Sequence, residues 1–242
     1  MNPAQMPPRI VEALIRREKL AMVGRLLKGV VHNISGAVQM VRLPLDLLEL
    51  KLASVTTSQV ADKLTAAQQG LNRLTDEVSM LSAKAAIQAQ PTPDPVDLCA
   101  LLRDQLRFWR ADPYFKHQVK LTLDLSDNLP FLRVDPSDLA LAFNALVANA
   151  VEALNAAQRG QLSARAWRLD GELLVEVVDD GPGPSPTMAA GLFEPFNTDK
   201  GWPHDGLGLF LARQALAPWR GDVRWSAQRP NAFLLVLPLA KA

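Results

Sequence analysis

The sequence predicts two successive folds: an α-helical hairpin, then an α + α/β sandwich whose mixed sheet carries helices on one face. Three observations carry this. Apolar residues recur in steps of three and four from Leu20 to Leu81. Three prolines crowd the stretch "AQPTPDPVD" at 89–97, where a boundary is expected. Beyond it, alternating strand-like runs mix with helical ones. The 242 residues are enough for two cores, and the expected domains are 1–90 and 91–242.

In the first half, Leu20, Val23, Leu27, Val31, Ile34, Val38, Val41, Leu45 and Leu48 form one seam. "SVTTSQ" at 54–59 interrupts it and offers Thr56, Thr57 or Ser58 as a helix N-cap. A second seam follows through Val60, Leu64, Ala67, Leu71, Leu74, Val78 and Leu81. A lone hairpin cannot bury both stripes, so the spacing predicts pairing with a second copy into a four-helix bundle over residues 15–85. Pro44 lies inside the first helix and should bend it. His32 follows Val31 directly, about 100° round the helix from the seam, and so should be reachable from solvent.

In the second half, "VDLCALLRDQLRFWR" reads as helix, "QVKLTLDL" and "FLRVD" as strands, and "PSDLALAFNALVANAVEALNAA" as a long helix with Pro136 in its first turn. "QLSARAWRL" and "ELLVEVVDD" should form a hairpin around Asp170-Gly171. A last helix starts at "DGLGLFLARQAL", and "GDVRWSAQ" and "AFLLVLPL" close the fold as strands.

Composition narrows the function. Lys and Arg number 26 against 25 Asp and Glu, so no global field draws the chain to nucleic acid or anionic lipid. The single cysteine, Cys99, excludes an internal disulfide and a cysteine-rich zinc site. The N-terminus lacks the apolar core of a signal peptide, and no run reaches the roughly 18 apolar residues of a membrane span. A soluble, cytoplasmic protein is expected.

Three clusters could carry chemistry: "NAVEAL" with Asn149 on the long helix, "VVDDGPG" with Asp179, Gly181 and Gly183 at a strand end, and "GLFEPFNTDKGWPHDGLGLF" leading into the last helix. Each suits a nucleotide. A strand-end aspartate can accept a hydrogen bond from the adenine amino group. Gly181 and Gly183 let backbone approach the base. Gly206 and Gly208 before a helix leave backbone N–H groups for phosphates. The Asn149 amide oxygen can take one Mg²⁺ position, and Lys200 can counter a terminal phosphate. Each motif alone is a common turn or a surface charge. Their order together is far more specific.

At this point the chain resembles the sensor histidine kinases over roughly residues 15–240. "LAMVGRLLKGVVHNI" is similar to the segment leading into that family's phosphoacceptor histidine, which implies that role for His32. "NAVEAL" resembles the N box, "DDGPG" the G1 box, and "LFEPFNTDK" the F box with Phe193, Phe196, Thr198 and Lys200. "GLGL" resembles the second half of the G2 box, at Gly206, Leu207 and Gly208. The resemblance implies a Bergerat-type ATP-binding domain. It further implies Mg-ATP as substrate, autophosphorylation of His32, and a response-regulator receiver domain as acceptor. The signal would come from the cytosol or a separate sensor protein, because the residues before helix one are too few to fold into a sensor.

The chain departs from the family pattern at several places. The residue after the histidine is usually Glu or Asp; here it is Asn33. An amide can accept a hydrogen bond from the imidazole but cannot take its proton, so slow autokinase activity is expected. Gly36 stands where relatives carry Asn or Thr, which argues against phosphatase activity, and Ala37 replaces a proline. Ala145 stands four residues before Asn149, where relatives often have Asn or Glu, and Asn144 should point about 100° away from that position. His204 and Asp205 replace the usual start of the G2 box. The alternative reading is a histidine phosphotransferase or pseudokinase that relays phosphate through His32. A chaperone- or topoisomerase-type ATPase is disfavoured, because Ala145 removes the glutamate base those enzymes use.

Overall fold

The computed structural model describes residues 6–50, 57–89, 95–201 and 204–239. The break at 51–56 with its N-cap candidate Thr56, the proline-rich stretch 90–94, and the side chains of Leu48, Thr57 and Leu81 lie outside the described residues. The chain divides into two compact units, one of residues Gly24–Gln90 and one of Met1–Val23 with Pro91–Ala242.

The unit Gly24–Gln90 holds α1 (Pro8–Leu50) from Gly24 onward and α2 (Thr57–Ala89). α1 stays helical through Pro44. The expected seams are only partly covered within the single hairpin. Leu26, Val30, Ala37 and Ala67 are 2%, 0%, 3% and 9% exposed, whereas Leu27, Val31 and Val38, each one residue further on, are about half exposed. Leu45, Leu64, Leu71 and Val78 are equally open. The helices approach through a small residue: a Cβ on Gly70 would stand 2.9 Å from the side chains of Met40 and Val41. The correction has a physical reason. Neighbours within one hairpin meet along the flank of each helix, and the 3–4 seam points to where further helices of a bundle would stand.

The second unit has a five-stranded mixed sheet of β2 (Lys120–Leu125), β4 (Gln161–Leu169), β5 (Glu172–Asp179), β7 (Arg229–Pro238) and β6 (Asp222–Ser226), in the order β2-β4-β5-β7-β6. Only β2 and β4 run parallel. Ala166, Val175, Leu235 and Val223 stand side by side across four strands and are at most 1% exposed. α5 (Pro136–Ala157) and α7 (Gly208–Leu216) pack over the sheet, with α3 (Leu98–Trp109) against α5. The strand "FLRVD" is short: β3 (Leu132–Arg133) pairs with β1 (Pro95–Val96), a strand the proline-rich reading missed. The short helices α4 (Pro113–Gln118) and α6 (Pro186–Ala189) were also unforeseen; both start with proline behind a capping Asp112 or Ser185. The β4–β5 turn has Asp170 and Gly171 at φ 49° and 83°, the left-handed pair a two-residue hairpin needs.

α5 is long and apolar enough, by composition, to cross a membrane, which the count of apolar runs overlooked. Two-thirds of its most apolar window is buried inside the unit instead. Asn144 faces inward from α5, where it accepts from Trp109 Nε1 and donates to Gln105 Oε1, both at 2.9 Å. It serves the core.

Residues 6–23, which the expected hairpin domain 1–90 includes, group with this unit. Met6, Val11, Leu14 and Ile15 cover a cluster formed by Leu141, Leu207, Phe210, Leu211 and Ala215. Lys19 Nζ meets Ser137 Oγ and Asp138 Oδ1, each at 2.6 Å, while Trp219 Nε1 donates to the other Asp138 oxygen. The apolar spacing in this stretch is helical whichever partner it finds, so periodicity could not tell the two apart.

Candidate active site

Asp179 ends β5 and is 9% exposed. Its Oδ1 accepts from the Gly181 N–H at 2.8 Å, which aims the carboxylate. Burial, reinforced by neighbouring Asp180, pushes its pKa up to about 6, against the pull of the Gly181 N–H and Lys200. The site therefore holds a desolvated acceptor that is ionised at neutral pH. Glycine is required beside it: a Cβ on Gly181 would stand 2.6 Å from Asp179 Oδ1 and 3.1 Å from Ala153 Cβ. Gly183 adopts φ 70°. The turn is fastened from outside. Asn231 Nδ2 donates to the Gly181 carbonyl, Arg159 Nη1 to the Asp180 carbonyl, and Asp180 Oδ1 accepts from Gln161 N.

α7 begins at Gly208 with Leu207 as N-cap and no side-chain capping bond. The Leu207 side chain is buried in the cluster with Leu141 and Phe210, so only its backbone can face a ligand. A Cβ on Gly208 would meet nothing within 4 Å. Uncapped N–H groups at a helix N-terminus, open on one side, suit an anion. Gly206, at φ 66°, is pressed against the backbone of Asn197, 2.9 Å from where a Cβ would lie.

The loop from Gly191 to Leu207 is clasped at several points. Phe196 N donates to the Gly206 carbonyl at 3.1 Å, and Asn197 Nδ2 to the Gly191 carbonyl at 2.7 Å. Thr198 Oγ1 accepts from Lys200 N. Phe193 lies under the Arg213 guanidinium at 4.4 Å, and Arg213 Nε is bound by Asp222 Oδ1 at 2.8 Å. Partial burial raises the Asp222 carboxyl, but the bond and charge of Arg213, the Val223 N–H and the Arg224 charge together outweigh it and hold the pKa below its ordinary value. Phe196, by contrast, is 64% exposed with a left-handed φ of 65°. Lys200 Nζ binds Glu152 Oε2 at 2.6 Å, and His204 Nδ1 stands 3.5 Å from Glu152 Oε1.

Asn149 is half-buried on α5, and its side-chain amide oxygen suits a cation such as Mg²⁺. Asn149, Asp179, Gly181, Gly183, Thr198, Lys200, Gly206 and Gly208 all belong to the second unit; His32 and Asn33 lie on α1 in the other, with His32 exposed. A Cβ on Gly36 would meet nothing within 4 Å. Cys99 is half-buried, and burial pushes its thiol pKa up, as suits an inert packing residue. Among the described residues no cluster of three His, Cys, Asp or Glu could hold a metal.

Sequence reasoning missed Glu152, Asn231, Arg159 and Arg213. Glu152 was within reach, since three residues past Asn149 puts it on the same helix face. Asn231 lies 50 residues from its partner, and no local pattern announces it.

Residues 134–241 match the family of histidine kinase-, DNA gyrase B- and HSP90-like ATPases. The chain is 26% identical over 227 residues to the sensor histidine kinase ZraS of Escherichia coli K12, covering 93% of this chain and 47% of that protein. It is 30% identical over 243 residues to the C4-dicarboxylate transport sensor protein DctB of Rhizobium meliloti, covering 96% and 37%. It thus spans less than half the length of these relatives. The solved mycobacterial sensor histidine kinase MprB superposes with a TM-score of 0.50 at 25% identity, covering 60% of this chain and 96% of that one. The fold of ShkA, solved with AMPPNP, covers 98% of this chain and 47% of ShkA at a TM-score of 0.54 and 22% identity. Sequence likeness across both units, the matched ATPase region and the shared fold support a sensor histidine kinase family for the chain.

Proposed function

We propose that the chain is a two-component histidine kinase that binds Mg-ATP, phosphorylates its own His32 and passes the phosphoryl group to a response-regulator aspartate. The observation that carries this is the buried Asp179 carboxylate, aimed by Gly181. It accepts from the exocyclic amino group of adenine, where guanine would present a second acceptor and be rejected. The uncapped first turn of α7 takes the phosphates, and Lys200 counters the charge at their end. Asn149 would hold Mg²⁺, which would neutralise phosphate charge when bound.

The neutral His32 imidazole attacks the terminal phosphorus; the new N–P bond forms as the bond to the ADP oxygen breaks. Asn33 accepts from the other ring N–H and orients the ring, but it cannot remove the proton, which passes to water. A missing base costs about 10²–10⁴ in rate, so the reaction is slow rather than absent. The protein works in the cytoplasm as a homodimer through residues 15–85. The half-exposed stripe of Leu27, Val31, Val38, Leu64, Leu71 and Val78 supports this, since a second copy would cover it.

The test is incubation with Mg²⁺ and γ-labelled ATP beside His32→Ala and Asn33→Asp. Acid-labile label lost in His32→Ala and increased in Asn33→Asp is expected. Asn33 also favours a second reading, a phosphate relay or pseudokinase. ATP binding without label in any variant would move the assignment there, and no ATP binding at all would sink the kinase.

A further inference from the structure

Glu152 holds a position that the proposed chemistry does not explain. It lies one turn beyond Asn149 on α5, so both side chains leave the same side of the helix. Its two oxygens reach two cations, or potential cations, of the loop: Lys200 Nζ at 2.6 Å and His204 Nδ1 at 3.5 Å. These residues flank the short segment that leads into Gly206 and α7. Glu152 thereby stitches that segment to the helix carrying Asn149. The other clasps on the loop, Phe193 under Arg213 and Asn197 on Gly191, involve no charge that a nucleotide would need.

Lys200 cannot serve both partners fully. A carboxylate 2.6 Å from the ammonium neutralises the charge available to a phosphate. We infer that Glu152 is a positioning residue that competes with the terminal phosphate for Lys200, and so sets how strongly the site prefers ATP over ADP. The inference rests on the proposed nucleotide reading. ADP lacks the group that draws Lys200 away and binds with the clasp closed. A triphosphate must open it. The loop then acts as a sensor of the terminal phosphate, with the Glu152 clasp as the opposing weight.

The test is calorimetric titration of the full chain with Mg-ADP and with the Mg-bound β,γ-imido analogue of ATP, which transfers no phosphoryl group. Glu152→Gln should strengthen triphosphate binding about threefold and leave ADP binding within error, a change on the scale of one partly exposed ion pair. Glu152→Asp, which keeps the carboxylate, should stay nearer the wild-type ratio. In a Lys200→Met background, Glu152→Gln should no longer alter the ratio. An unchanged ratio in Glu152→Gln, or an equal shift with Lys200→Met already present, overturns the clasp while leaving the kinase assignment standing. Binding of neither nucleotide to wild type removes the nucleotide reading and the clasp with it.

Discussion

The two units spend their apolar residues differently. In the unit proposed to bind nucleotide, Val175, Leu235, Phe143 and Leu211 are at most 1% exposed, and its candidate functional groups rest on that core. In the hairpin unit, Leu26 and Val30 are covered while Val31, Leu64 and Leu71 remain more than half exposed. A buried acceptor such as Asp179 needs a closed, rigid surround to desolvate and aim it. A phosphorylated histidine needs the reverse, an open position from which a nucleotide and then another protein can reach it.

The sharpest way to break this contrast is to charge the open stripe. Val31→Glu with Leu71→Glu should convert the proposed dimer to monomer by sedimentation equilibrium while nucleotide affinity holds. Each apolar side chain forfeits about 1.5–3 kcal/mol of burial and leaves a charge at the junction. A variant that stays dimeric would show that the stripe faces something other than a second copy.

Asp179→Asn attacks the closed unit. Loss of a charge-assisted bond costs about 1.5–3 kcal/mol, so ATP affinity should fall roughly 10- to 100-fold by calorimetry. Thermal stability should hold or rise, because ionised Asp179 is a burden on the folded state. Core support comes next: Asn144→Ala strands Trp109 Nε1 and a Gln105 acceptor, and should lower the unfolding free energy of the nucleotide unit by about 2 kcal/mol. The hairpin's circular dichroism transition should not move.

Acidity gives a smaller effect with a distinctive sign. The Asp179 pKa of about 6 lies above its ordinary 3.8, so between these values the native state binds more protons than the unfolded chain. From this group alone, stability without nucleotide rises as pH falls through 6. ATP affinity moves the other way, dropping about tenfold by pH 5 as the acceptor becomes protonated. Parallel trends in melting and titration would exclude Asp179 as the adenine acceptor. Smallest of all, Arg42→Ala removes an exposed i,i+4 pair with Asp46 on the hairpin and should change stability by less than about 0.5 kcal/mol.

The sequence by itself determined what is local. The 3–4 spacing from Leu20 onward dictated helix, Asp170-Gly171 dictated a tight turn, and Gly206 and Gly208 marked the start of α7, because each depends on backbone preferences within a few residues. The order of Asn149, Asp179 and Gly208 was legible for the same reason: each motif sits at an element end that its own residues create. Tertiary structure decided which apolar edge α1 buries, Leu26 and Val30 rather than Leu27 and Val31. It also bound residues 6–23 to the nucleotide unit through Lys19 and Leu14. It joined Asn231 to Gly181, Asp222 to Arg213 and Glu152 to Lys200 across 50, 9 and 48 residues. Periodicity states that a face is apolar, and charge states that a residue can pair. Only the folded chain selects the partner, because that choice depends on which distant groups arrive within 3 Å.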